Sequence, residues 1–203
     1  MSVLFAQVAA VLFVIRLVVF VTLHLRPAGI HPVRDTVSDY AASSSAVTRA
    51  LSTCSSWAAA AGWAALGLSV LVDPALGAQR VPVGTWLIVL AVVLSVMPWV
   101  PTDGPGQRTT LRGRVHLLLA VGWFTIAYAT IGPLGRLLGG SGLTGAGGVL
   151  SVLDTIAMVA LIALVVSLLV RPLRSRTFGL AERVFILVVT LAPLVAGLGI
   201  AAG

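Results

Sequence analysis

The sequence predicts an all-α fold: a polytopic membrane helical bundle of six transmembrane helices, with a short interfacial or re-entrant helix after the first. Three observations carry this expectation. Hydrophobic residues make up 59% of the chain and charged residues 9%, where a soluble domain has roughly a quarter of its residues charged. Mean hydropathy is +1.09. Six apolar runs match the span of about 17 to 25 residues that a bilayer requires, at roughly 3–24, 50–72, 84–101, 115–134, 149–170 and 183–202. The connections are short, so 1–203 reads as a single six-helix domain with no separate soluble unit.

The first run lacks a basic leading segment, and Arg16 interrupts its middle. It therefore reads as a retained helix, not a signal peptide. The connection 25–49 is the longest. Pro32 suits a first helical position and alanines follow, which favours a helix in its interior. On such a helix His31, Asp35, Ser38 and Asp39 fall at i, i+4, i+7 and i+8, one face, with Val33, Val37 and Tyr40 off it.

In the second run, Ala58 and Gly62, or Ala60 and Ala64, give small-xxx-small spacing for close helix approach. Cys54, the lone cysteine, reads as a small apolar filler. DPALGAQRVP (73–82) reads as a plain turn. The third run is short, with Trp86 and Trp99 near its ends for the two interfacial belts. GRLLGGSGLTGAGG (135–148) lacks the GK[ST] ending of a phosphate loop and reads as a flexible linker. Pro98, Pro133 and Pro193 are expected to bend or end their helices. Asp154 lies inside the fifth run, too far along the bundle to meet Arg16; Ser151, Thr155 or water are its expected partners.

The net charge of +7 comes from thirteen arginines and no lysine. With six spans, the connections after the first, third and fifth share one side. That side carries Arg26, Arg34, Arg49, Arg108, Arg112, Arg114, Arg171, Arg174, Arg176 and Arg183, against Arg80 and Arg136 opposite. This asymmetry follows the positive-inside rule. It predicts a multi-pass protein of the cell's inner (plasma) membrane, arginine-rich loops in the cytoplasm and both termini outside. It also argues against a nucleic-acid partner.

Charge is concentrated in two polar stretches, HPVRDTVSDYAASSS (31–45) and PTDGPGQRTTLRGRVH (101–116), which hold three of the six acidic residues and two of the three histidines. Arg16 sits about two-thirds of the way down the first span. An arginine at membrane depth costs roughly 2.5 to 3.5 kcal/mol on insertion scales and normally finds a partner inside the bundle. Asp35, Asp39 or Asp103 are its expected partners, with snorkelling to the interface as the alternative. His24, His31 and His116 lie on the same side and can ligate zinc, although their spacing matches no compact ligand motif. Ser38, Asp39, Asp103 and His116 are candidates for nucleophile, orienting carboxylates and base. The plain structural alternative has these carboxylates capping loops and pairing with arginines.

These residues carry a family resemblance. HPVRDTVSDY after the first span, and VPTDGPG followed by LRGRVH before the fourth, resemble the bacterial membrane family known as domain of unknown function 998. Its P-x-x-x-T-x-S-D signature corresponds here to Pro32, Thr36, Ser38 and Asp39, and its P-T-D…H signature to Pro101, Thr102, Asp103 and His116. The resemblance implies about six helices and a polar site at the inner leaflet. It implies no activity. More distantly, the chain is similar to membrane hydrolases of the alkaline ceramidase group, which gather serine, aspartates and three histidines around zinc. It departs from them in having six spans and no paired H-x-x-x-H.

Two functions from different classes follow. One is binding of a membrane lipid head group, especially an anionic one, a small polar ligand or a membrane protein partner, with Arg16, Asp35, Arg112 and Arg114 as contacts. The other is a metal-dependent membrane hydrolase or transferase acting on a lipid. A transporter is a third, requiring one water path past Arg16 and Asp154.

Overall fold

The computed structural model describes residues 1–26, 29–104, 108 and 110–203. Residues 27–28, 105–107 and 109 lie outside the described residues, as do the side chains of Arg171 and Ser175. The fold is all-α. Its membrane-length helices are α1 (Ser2–Leu25), α2 (Ala46–Val72), α3 (Arg80–Val96), α4 (Leu111–Gly140), α5 (Thr144–Leu169) and α6 (Arg171–Ala202). A 3₁₀ turn over Met97–Trp99 extends α3, and all six helices are long and apolar enough to cross a bilayer. The protein is a multi-pass membrane protein.

Each helix packs on the next in sequence, and α6 closes the ring on α1. The most buried helices are α2 and α6, with 56% of their membrane windows inside the bundle against 22% for α5. The small residues explain why α2 sits centrally. A Cβ on Gly62 would stand 3.0 Å from the Phe13 ring of α1, which itself meets Trp63 edge-on at 5.4 Å. Farther along, Gly67 and Gly84 bring the α2 and α3 backbones together: a Cβ on either would lie 3.1 Å from the other's carbonyl oxygen. On the outside, Val8, Val11, Val18 and their equivalents are exposed, the face lipid covers.

Two readings of the sequence are corrected. The stretch 135–148 is not a flexible linker, because α4 runs to Gly140 and α5 begins at Thr144. Its glycines serve packing and a tight turn. A Cβ on Gly147 would stand 2.9 Å from the Gly135 carbonyl and the Gly139 backbone, so these glycines let α4 and α5 meet closely. Gly142 turns the chain at φ 89°, a value that favours glycine. Pro133 and Pro193 lie inside α4 and α6, so of bending or ending their helices only the first is open to them.

The second correction concerns the α1–α2 connection. Its short helix is a 3₁₀ turn over Ser38–Ala42, later than the one expected to begin at Pro32. His31–Asp35 is a separate turn in which the His31 carbonyl accepts from the Arg34 and Asp35 amides. His31 and Asp35 therefore do not share a helix face with Ser38 and Asp39. The connection is seated by Tyr40 against Val19 and Leu23 of α1.

Candidate functional site

A cavity of about 340 Å³ lies at the end of the bundle where α1 finishes. Its walls come from the second half of α1, the α1–α2 connection, the first turns of α2, the end of α3 and the first halves of α4 and α6. Three of the buried charged or titratable side chains meet here. Arg16, Glu182 and His116 all line the cavity and are each less than 10% exposed.

Arg16 is central. No hydrogen bond, ion pair or ring contact joins its guanidinium to another described residue, yet it is buried. The expected salt bridge to Asp35, Asp39 or Asp103 is absent among the described residues. The physical reason is that all three carboxylates are engaged locally. Asp35 Oδ2 accepts from the His31 amide at 2.7 Å. Asp39 Oδ2 accepts from the Thr36 amide at 2.6 Å, and the Asp39 amide donates back to Thr36 Oγ1 at 3.2 Å. Asp103 accepts from the Thr110 amide and hydroxyl at 2.8 and 2.7 Å.

Asp103 thus clamps the entry to α4, whose N-cap Thr110 accepts from the Gly113 amide at 3.1 Å. The Thr110 hydroxyl, and then its amide, hold the Asp103 carboxyl below its ordinary pKa. Gly113 lies directly against the Asp103 carboxylate, where a Cβ has no room. Arg112 donates to the Trp99 carbonyl at 3.1 Å and is exposed. Arg114 is exposed too, and neither lines the cavity.

The remaining candidates separate into two groups. Ser38 lines the cavity, its hydroxyl 2.7 Å from Thr36 Oγ1. His116 donates from Nδ1 to the Val100 carbonyl at 2.6 Å, which leaves Nε2 for the cavity. His31 is exposed, with Nδ1 accepting from the Val33 amide at 3.2 Å. His24 is bound by α6. Arginine only donates, so the 2.8 Å contact from Arg183 Nε makes His24 Nε2 an acceptor. The Nδ1 proton then goes to the Phe20 carbonyl at 2.7 Å. The lone pair a metal would need is already engaged. Among the described residues, no three histidine, cysteine or acidic side chains gather as a metal site, and these histidines do not fit zinc as they stand.

Sequence reasoning missed Glu182 and assigned Arg183 only a loop charge, because the sixth span was placed from residue 183. In the structure α6 begins earlier and carries both residues inward. Glu182 Oε2 accepts from the Val37 amide at 2.8 Å. Arg183 Nη1 donates to the carbonyls of Asp35 and Gly179 at 2.5 and 3.0 Å. The available signal was that Glu182 is the chain's sole glutamate and is preceded by the apolar run Phe178–Ala181. At the far end of the bundle, Asp154 and Arg136 both lie over Gly132, 3.1 and 3.4 Å from where its Cβ would be. The Thr155 hydroxyl, expected near Asp154, bonds to the Ser151 carbonyl instead.

A family model described as "Protein of unknown function (DUF998)" matches residues 8–199, and the chain belongs to that family. No curated protein and no solved structure matches it.

Proposed function

We propose that this chain, as a member of the DUF998 family, is an integral membrane protein that binds an anionic ligand, foremost a lipid head group, in the cavity around Arg16. One observation carries the reading: Arg16 is buried, faces a cavity and has no partner among the described residues. An arginine at membrane depth is costly, and a protein that keeps one normally neutralises it. Here the nearby aspartates hold turns together and Glu182, on the same cavity, makes no ion pair with Arg16 among the described residues, so the neutralising group comes from outside the chain. Arginine suits phosphate and carboxylate, to which it donates two parallel hydrogen bonds.

The arginine bias of the connections supports placing this end of the bundle at the cytoplasmic leaflet, where anionic lipid is abundant. Exposed Arg112 and Arg114 then draw negative head groups towards the bundle, while Arg16 holds the one that enters. Asp103 and His116 brace the α3–α4 connection beside the cavity.

The test is native mass spectrometry of the full chain, purified gently without chelator and read for lipid and metal together. Wild type is expected to retain anionic lipid, and Arg16→Gln to lose it while remaining folded. Equal retention by both proteins overturns the reading. A stoichiometric zinc lost in His116→Ala would put metal-dependent lipid hydrolysis in its place.

A further inference from the structure

The wall facing Arg16 is not built for a bare anion. The first turns of α2 present Ser52 and Ser55 to the cavity, both half-buried, and neither hydroxyl has a partner among the described residues. Helix serines usually satisfy themselves on the carbonyl one turn back, as Ser56 does on Ser52 at 3.1 Å. Ser52 and Ser55 do not. Glu182 adds an acceptor: Oε2 takes the Val37 amide, and Oε1 has no partner among the described residues.

A phosphate alone would gain from Arg16 but leave Glu182 Oε1 and the two serine hydroxyls without partners. A ligand with an anionic end and several hydroxyls satisfies all of them. Its anion lies on Arg16, one hydroxyl donates to Glu182 Oε1, and others exchange hydrogen bonds with Ser52 and Ser55, which both donate and accept. The cavity, about 340 Å³, falls in the range of small-ligand sites, roughly 300 to 1,000 Å³. We infer that the ligand is a polyol phosphate, such as a glycerol- or inositol-type head group, read by Arg16 for charge and by Glu182, Ser52 and Ser55 for hydroxyls. This rests on the reading of Arg16 as an anion site and adds what else the ligand carries.

The test measures binding to the full chain in neutral detergent, using short-chain phosphatidylglycerol, phosphatidic acid, phosphatidylethanolamine and free glycerol 3-phosphate. Phosphatidylglycerol is expected to bind about tenfold more tightly than phosphatidic acid, the scale of one or two added hydrogen bonds. The double variant Ser52→Ala/Ser55→Ala should lose most of that preference and still bind phosphatidic acid as wild type does. Glu182→Gln gives a second check, replacing the carboxyl acceptor by a weaker amide oxygen and narrowing the preference. Glycerol 3-phosphate binding as tightly as the lipid upholds the chemistry and identifies a soluble source.

Equal affinity for phosphatidylglycerol and phosphatidic acid, both dependent on Arg16, sinks the hydroxyl inference and leaves the anion site standing. Tightest binding of phosphatidylethanolamine assigns Glu182 to an ammonium and overturns it as well. Binding that ignores Arg16→Gln removes the anion site itself.

Discussion

Arg183 on α6 donates from Nε to His24 Nε2 on α1 at 2.8 Å, joining the helices that close the ring. The same guanidinium holds the Asp35 carbonyl of the α1–α2 connection and sits 6.0 Å from the Tyr40 ring centroid. Its other terminal nitrogen, Nη2, is buried without a partner among the described residues. One arginine thus ties α6, α1 and the connection that walls the cavity. Its neighbour Glu182 reaches the same connection through Val37.

Removing that tie should loosen the connection more than the bundle. Hydrogen bonds to a charged group contribute about 1.5 to 3 kcal/mol each. Arg183→Ala is expected to lower the thermal midpoint in detergent and to make residues 29–45 the first segment cut in limited proteolysis. Cleavage at that segment no faster than in wild type would count against the tie.

Gly179 offers the same test without removing a charge, although a Cβ there would also stand 2.9 Å from Arg183 Nη1. It packs against the Asp35 carbonyl, and a Cβ there would also lie 3.0 Å from the carbonyl of Val33. Both are backbone atoms and yield little. Gly179→Ala should therefore displace the connection and weaken lipid retention, at a cost of roughly 1 to 3 kcal/mol. Gly148→Ala, where a Cβ meets open space, is the matched control and should behave as wild type.

Asp103 predicts a pH dependence. Its carboxyl is held below the ordinary value by Thr110, first through the hydroxyl and then through the amide. A folded pKa lower than the unfolded one adds stability that is complete above the unfolded value, near about 3.9, and lost as pH falls through the folded value. Unfolding midpoints of wild type should drop on acidification below about pH 4 more steeply than those of Thr110→Ala, whose Asp103 lacks the hydroxyl bond. Parallel curves would show that the clamp contributes nothing. Asp103 is only partly buried, so the effect is small.

Orientation is tested at the ends of the chain. The arginine bias predicts that both termini face outward. A reporter active only outside the cytoplasm, fused after Gly203, should be active, and a cytoplasm-only fluorescent reporter at the same point dark. The reverse pattern would turn the cavity to the outer leaflet.

The six spans were legible in the sequence, because crossing lipid demands a run of apolar residues whatever the rest of the chain does. Their number and their order followed from that one constraint. Helix ends were less legible. The glycines of 135–148 read as flexibility, while their purpose is the close crossing of α4 and α5. The start of α6 was hidden because arginines extend the helix past its apolar run.

Composition and periodicity by themselves determined a six-span membrane bundle, and pointed to Arg16, His116 and the aspartates of two connections as its polar groups of interest. Only the tertiary structure decided which of them meet. A carboxylate is satisfied by the nearest amide or hydroxyl, so Asp35, Asp39 and Asp103 turned to their own loops. Arg16 was left facing a cavity that α6, distant in sequence, supplies with Glu182. Hydropathy is a property of segments and can be read along a chain. The partner of a buried charge depends on which helices close around it, and that is settled when α6 packs on α1.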